Sequence, residues 1–595
     1  MKLDYRKLKD EWKQKGEIPD WYSTNALQFF MDKYSYQGET VRSRDTAVAK
    51  YLAKHAPSVY PDWWEEDEYT QGKTYEQAFF DVIWEGFAVL STPLKANAGL
   101  PQRGLTVSCC GQHMGNSVAS KAFIRGELEV LIKNSHGCSM SVSDWLAEGT
   151  VYDKDGNISA GIEPVIDDMQ KSTFEINQGI RRGQTQFGVN ILHGDFDKIA
   201  NKLFAESDSL NISWLIGDDF IGRLQNGDKE AIRRFGRVVQ VRMQTGKGYF
   251  TKIDTMNRNK AQVFKDLGLK VHASNLCNEV NLPANDEYSF TCVIINANLA
   301  LYEEFPEHLY HILHIMQDCN VSGYIEEIEK KTGESRVFLS KVLKFTKDFR
   351  AVGTGVCGFH SLLMKKRIVF GSFDSMILNE EIFKKMRNDL DECNAWLAEV
   401  LGEPDKLKGY GKRNATVMMM PPTKSSAELA KESPTESINP ETALVRVKET
   451  VGGDIFRINT ELLKVMKELG QYTQENINFI AQSKGSVQKC HWMPQHLKDV
   501  FRNAFETPME AHLDLCAQRQ PYIDQQQSIN LYLSGSDTPE YIGNIHKKAL
   551  LDDNVNGLYY CYSSRGGNYE RFGCEMCESC LKCLVKQTVQ AVHQR

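Results

Sequence analysis

The sequence predicts an α/β protein with a helical N-terminal region, and three observations lead there. The chain has 595 residues, 41% hydrophobic and 25% charged, which is ordinary for a globular protein, and large α/β barrels reach such lengths as one unit. Ala26-Leu27-Gln28-Phe29-Phe30-Met31 and Ala47-Val48-Ala49-Lys50-Tyr51-Leu52 carry apolar residues at helical spacing, so residues 1–90 read as helical. Farther along, short strand-like runs at 106–110, 210–215 and 290–295 alternate with helical stretches at 116–134, at 163–177 and up to about residue 265.

Within residues 1–90, Pro57 and Pro61 break the helices and the Trp63-Trp64 pair reads as core. A net charge of −7 speaks against a general nucleic-acid or membrane-surface binder, which needs a basic patch. No run of about 18 apolar residues is present, so no membrane span is expected. Met1-Lys2-Leu3-Asp4-Tyr5 leads into charged sequence and not into an apolar signal core. The 15 cysteines are therefore read as reduced thiols of a cytoplasmic protein, some of them working ones.

The chemistry is concentrated in Ser274-Asn275-Leu276-Cys277-Asn278-Glu279-Val280-Asn281-Leu282-Pro283. In an extended segment Asn275, Cys277 and Glu279 share one side: an amide that can hold a hydroxyl, a thiol and a carboxylate base. The plain alternative is a polar turn with a buried thiol. Cys292 lies in the apolar, β-branched run Phe290-Thr291-Cys292-Val293-Ile294-Ile295, where a cysteine on its own reads as core. Thr423-Lys424-Ser425-Ser426-Ala427 at a helix start offers free backbone N–H groups to an anion, or serves simple N-capping. Val352-Gly353-Thr354-Gly355-Val356-Cys357-Gly358 is glycine-rich but does not fit a dinucleotide fingerprint, and Cys357 reads as structural. Tyr559-Tyr560 would face opposite sides of a strand. Cys574, Cys577, Cys580 and Cys583 form two Cys-x-x-Cys pairs that could hold zinc or an iron–sulfur cluster, or work as redox thiols.

Several segments in chain order resemble the large subunit of class I ribonucleotide reductases. They are Ser91-Thr92-Pro93 with Ala96-Asn97-Ala98-Gly99, Ser108-Cys109, Arg181-Arg182-Gly183-Gln184, the segment from Ser274 to Pro283, and Thr291-Cys292. Pro422-Thr423-Lys424-Ser425-Ser426-Ala427, Glu436-Ser437-Ile438-Asn439-Pro440, Asp524-Gln525-Gln526-Gln527-Ser528, Tyr559-Tyr560 and the cysteine-bearing tail follow. The resemblance covers roughly residues 80–585. It implies a helical region over 1–90, a ten-stranded α/β barrel around a central finger loop over 91–570, and a cysteine-rich tail over 571–595. The N-terminal ATP-binding cone of many relatives has no counterpart in this sequence.

By this resemblance Cys277 carries a thiyl radical, Glu279 is the base and Asn275 orients the sugar. Cys109 and Cys292 are the reducing pair, with Cys110 on the opposite face as packing. Tyr559 and Tyr560 relay the radical, Tyr559 next to Cys277. Thr92, Ser108, Thr423, Ser425 and Ser426 hold the substrate, and Arg181, Arg182 and Gln184 form the specificity loop. Helices at 116–134 and 163–177 would bind a dNTP or ATP effector and form a homodimer. The tail cysteines would re-reduce the active site in exchange with thioredoxin or glutaredoxin, zinc there being the alternative. No cofactor is expected on this chain itself, the radical cofactor residing on a separate small subunit. An adenosylcobalamin-dependent reductase is the alternative enzyme, and a catalytically silent nucleotide- or metal-binding partner protein is the alternative without catalysis.

Overall fold

A computed structural model describes residues 4–152, 154–176, 183–450 and 453–563. The chain opens with helices α1 (Tyr5–Gln14), α2 (Thr24–Lys33), α3 (Val41–Ala53) and α4 (Tyr75–Trp84). Each begins at a polar cap, Asp4, Ser23, Thr40 or Thr74, whose side chain accepts from first-turn backbone N–H groups; Thr40 and Thr74 form reciprocal boxes with Ser43 and Gln77. Trp64 is fully buried, as the sequence suggests, while Trp63 is only partly buried and stacks on His308 at 4.1 Å. His308 also bonds Asp67 at 2.6 Å and immediately precedes the long helix Leu309–Glu329, which fastens the N-terminal helices to the barrel.

The wall is built from β1 (Ala88–Leu90), β2 (Cys109–His113), β3 (Gly137–Ser141), β4 (Thr185–Asn190), β5 (Ile212–Ile216), β6 (Tyr249–Lys252), β7 (Phe290–Cys292), β8 (Ile294–Asn298) and β9 (Gly353–Cys357). After them come the hairpin β10 (Val445–Thr450) and β11 (Gly453–Ile458), then β12 (Leu531–Leu533), β13 (Gly557–Leu558) and β14 (Cys561–Ser563). One sheet runs β13-β6-β5-β4-β3-β2-β7, with β2 to β6 parallel and the two edge strands antiparallel. A second runs β1-β8-β9, and parallel bridges Thr354–Met418 and Met420–Gln527 extend its wall; β10-β11 and β12-β14 form two-stranded sheets of their own. Parallel strands covered on both faces are buried throughout, and β2, β3 and β5 are buried at every residue, although β2 and β3 carry polar side chains such as Gln112, His113, Ser139 and Ser141. Helices α5 (Thr92–Asn97), α6 (Val118–Lys133) and α7 (Glu163–Glu175) lie between the early strands, α6 and α7 where the sequence places them.

Several local expectations are corrected. β2 starts at Cys109 and not at 106, because its ladder partner β3 begins only at Gly137. β5 begins two residues later and ends one later than the expected 210–215, and β6 lies inside the stretch read as helical, being too short for its period to show. The 290–295 run is two strands, broken at Val293, with β7 in one sheet and β8 in the other. The helical run expected after Thr423 is a single turn, Lys424–Ala427. Among the described residues no helix is long and apolar enough to cross a membrane.

The alternation along β2 divides the interior. Cys110 packs into the main core with Cys138 and Met140, whereas Cys109 belongs to an inner cluster with Val280, Phe290, Cys292 and Met419.

Candidate active site

The segment 274–280 is a turn and not the extended strand read from the sequence. The Asn275 carbonyl accepts from the Asn278 N–H at 3.2 Å, and Asn278 has φ 63°, in the left-handed region that asparagine tolerates better than most residues. The turn brings Asn275 and Glu279 together, where a strand would hold residues four apart at ~13 Å. Asn275 Nδ2 donates to Glu279 Oε1 at 2.8 Å, and Asn275 Oδ1 accepts from the Glu279 and Val280 N–H groups. The loop is braced from both sides. Asn278 donates to the Phe250 carbonyl at 2.9 Å and accepts from Thr251 Oγ1 at 2.7 Å, both on β6. On the other side Gln526 Nε2 donates to Ser274 Oγ and to the Asn278 carbonyl, and Ser528 Oγ donates to the Cys277 carbonyl at 2.7 Å.

Three thiols converge at this loop. Cys109 and Cys292 are directly opposite in the antiparallel β2–β7 pair. Such partners have Cα atoms about 4.5–5.5 Å apart, within the span of a disulfide. Cys109 lies within hydrogen-bonding reach of both Cys277 and Cys292. The described cysteines are all free, and Cys277 alone of these three keeps part of its surface open. The hydrogen bond to Cys109 and then burial push the Cys277 thiol well above the usual thiol range; burial does the same at Cys292, with Cys109 next. Both therefore stay as neutral S–H. Glu279 is 1% exposed, and burial, followed by the charge of Cys109, raises its carboxyl to about 8. Its Oε2 stands 3.3 Å from Ser528 Oγ, and Cys292 Sγ lies 3.9 Å from Oε1.

Tyr559 lies within hydrogen-bonding reach of Cys277. The Tyr559 and Tyr560 rings do not point to opposite sides: their centroids are 4.3 Å apart, because both residues fall in the break between β13 and β14 and escape the strand alternation. Buried Tyr249 from β6 packs on both, at 4.7 and 5.2 Å.

The site opens on a cavity of about 1300 Å³, which Cys109, Cys277, Glu279 and Tyr559 and Tyr560 line, while Asn275 and Cys292 are fully buried behind its lining. Thr92, Ser108, Thr423, Ser425 and Ser426 line it as well. Thr423 holds the N-cap position of the short turn but makes no side-chain capping bond: its Oγ1 accepts from the Ser437 N–H at 2.8 Å and so ties the 435–437 loop to the turn.

A family model described as "Ribonucleotide reductase, barrel domain" matches residues 229–404 and 403–561, more than half of the chain. The chain belongs to the ribonucleotide reductase family. A solved structure, the Actinobacillus ureae class Id ribonucleotide reductase alpha subunit, superposes with a TM-score of 0.80 at 27% identity, covering 95% of this chain and 99% of that one. A relative in Frog virus 3 (isolate Goorha) is 31% identical over 331 residues, 56% of this chain and 57% of the relative. The ribonucleoside-diphosphate reductase large subunit of Invertebrate iridescent virus 3 is 29% identical over 357 residues, 59% of this chain and 55% of that protein. The match thus spans about half the length of these curated relatives.

Against the reductase expectation, Arg181, Arg182 and the tail cysteines Cys574, Cys577, Cys580 and Cys583 lie outside the described residues. Gln184 precedes β4, where its side chain accepts from Asn211 and its carbonyl accepts from the Cys138 N–H. Sequence reading gave no role to Asn278, Gln526, Ser528 or Tyr249. An asparagine between the thiol and the carboxylate was the available signal for a left-handed turn. Gly137 was also missed: a Cβ there would sit 3.0 Å from Leu276 Cδ2 and 3.7 Å from Cys109 Sγ. Among the described residues, His113, Asp144 and His272 form the one group with metal-ligating atoms in mutual reach. Their geometry is that of an ion pair and a ring stack, with His113 3.2 Å from Asp144 and the imidazoles stacked at 3.9 Å.

Proposed function

We propose that this chain is the catalytic large subunit of a class I ribonucleotide reductase, converting ribonucleoside diphosphates to 2′-deoxyribonucleotides for DNA synthesis. The observation that carries the reading is a neutral thiol, Cys277, held between a tyrosine and a facing cysteine pair at the floor of one cavity. In this reading a Cys277 thiyl takes the ribose 3′ hydrogen, and Glu279 accepts the 3′-hydroxyl proton. The 2′-hydroxyl leaves as water with a proton from one thiol of the Cys109–Cys292 pair. The pair then gives two electrons and its second proton to the 2′ carbon as it closes to a disulfide, and Glu279 returns its proton to the 3′ oxygen. The hydrogen held by Cys277 then returns to the 3′ carbon. Conversion of S–H to a thiyl creates no charge, which suits a buried site where ions are penalised. Thr423, Ser425 and Ser426 cradle the phosphates, while Thr92 and Ser108 hold the sugar end; Asn275, whose amide is engaged within the loop, acts by orienting Glu279.

Tyr559 and Tyr560 form the entry for a radical made on a separate small subunit. Packed helices α6 and α7 leave Val118 and Phe174 exposed, which supports a homodimer face there, with the effector site and the 181–184 loop beside it. The tail cysteines exchange with the active-site disulfide and are renewed by thioredoxin or glutaredoxin in the cytoplasm.

The test is deoxynucleotide formation from a ribonucleoside diphosphate by the purified chain, with a small subunit or with adenosylcobalamin. Product that requires the small subunit and vanishes in Cys277→Ser supports the proposal. Product with adenosylcobalamin alone moves the chain to the cobalamin-dependent class, and product from Cys277→Ser refutes the thiyl chemistry.

A further inference from the structure

Past the Tyr559-Tyr560 pair the chain carries another phenol on the same face. Tyr560 directly precedes β14, and it is the ring contact rather than the strand period that places it beside Tyr562. Tyr560 and Tyr562 therefore point together while Cys561 turns into the core, its Sγ 3.7 Å from Met243 Sδ. The Tyr560 and Tyr562 rings lie 5.5 Å apart with planes 29° from parallel. The parallel β12–β14 ladder puts Tyr532 opposite Tyr562, and those rings stack at 5.3 Å and 16°, as cross-strand aromatic pairs do. Tyr532, Tyr562, Tyr560 and Tyr559 thus form an unbroken run of phenols ending at Cys277.

Burial decides which end is accessible. Tyr559 and Tyr532 are 7% and 2% exposed, whereas Tyr560 and Tyr562 are half-buried. Beyond Tyr532 the next ring is Phe505, perpendicular at 5.8 Å, which has no phenolic proton to release. An oxidising equivalent arriving from outside meets Tyr562 or Tyr560 first, and one placed on Tyr532 can only pass back to Tyr562.

We propose that Tyr562 is a third redox-active tyrosine, the residue at which the radical enters this chain before passing to Tyr560, Tyr559 and Cys277. The inference rests on the reading of the chain as a reductase subunit that receives its radical from a small subunit. In the first step the oxidised radical of the small subunit takes one electron from Tyr562, whose phenolic O–H breaks and gives its proton to solvent at the open side. The Tyr562 radical then takes one electron and one proton from Tyr560, which restores its own O–H bond. Tyr560 does the same to Tyr559, and Tyr559 to the Cys277 S–H. One electron and one proton move at each transfer, so the buried end never holds a net charge. Tyr532 lies off this path and serves as a stacking wall.

The test is made in the complete enzyme with its small subunit. Tyr562→Phe keeps the ring stack and removes only the phenol, so a packing role predicts full activity. The relay role predicts a fall in turnover of about 100-fold with nucleotide binding unchanged, and Tyr532→Phe should stay within about twofold of the parent. 3-Aminotyrosine placed at 562, and separately at 560, gives the second readout, since this easily oxidised analogue traps the radical for electron paramagnetic resonance. A substrate-dependent signal at both positions supports the proposal. A signal at 560 with none at 562, or full turnover in Tyr562→Phe, overturns it and leaves the reductase reading intact. Absence of signal at both, with no deoxynucleotide from the parent enzyme, overturns both.

Discussion

Glu279→Gln separates the proton chemistry of the finger loop from its shape. The amide can still accept from Asn275 Nδ2, so the loop keeps its main brace. With its carboxyl at about 8, only about one Glu279 in ten is ionised at pH 7, and that fraction grows tenfold per pH unit until it levels off. If Glu279 is the base, kcat/KM of the parent climbs from pH 6 to 8 and then flattens, while Glu279→Gln is flat and lower by about 10²–10⁴. Stability gives an independent readout. The folded value lies above the usual 4.5, so the favourable contribution is complete below pH 4.5 and is lost as pH rises through 8. At about 1.4 kcal/mol per pH unit the window is worth about 5 kcal/mol. Glutamine carries no such penalty. Urea midpoints of the two proteins should therefore diverge between pH 5 and 8, with the parent losing ground. Parallel stability curves, or a parent rate profile flat from pH 6 to 9, would refute the reasoning.

Asn278→Ala removes both side-chain bonds to β6 and leaves a Cβ-bearing residue at φ 63°, so a loss of about 2–4 kcal/mol is expected in urea denaturation. Asn278→Gly should recover about 1 kcal/mol of it, the backbone part. Gly137→Ala drives a methyl against Leu276 and toward Cys109; turnover should fall at least tenfold while the unfolding midpoint shifts by about 1 kcal/mol or less. Removal of residues 572–595 should leave one deoxynucleotide formed per active site and abolish further turnover with thioredoxin, as product counting would show. Metal analysis before and after the cut tests the zinc alternative.

The sequence by itself determined the inventory: three cysteines, a carboxylate and a tyrosine pair, in an order that resembles one family, with the N-terminal helices marked by their spacing. Cys109 could be told from Cys110 on the resemblance alone, and the register of β2 against β7 supplied the reason, since only Cys109 faces Cys292. Loop shape was not legible locally. Asn275 and Glu279 meet through a left-handed residue whose brace comes from Phe250, Thr251 and Gln526, all distant in sequence. The tyrosine stack was hidden for the same reason: a period-two reading assumes an unbroken strand, and the break at residues 559–560 is imposed by tertiary contacts. Residue types set which reactions are available. Their distances follow from which strands the long-range packing makes neighbours, and the local chain does not encode that choice.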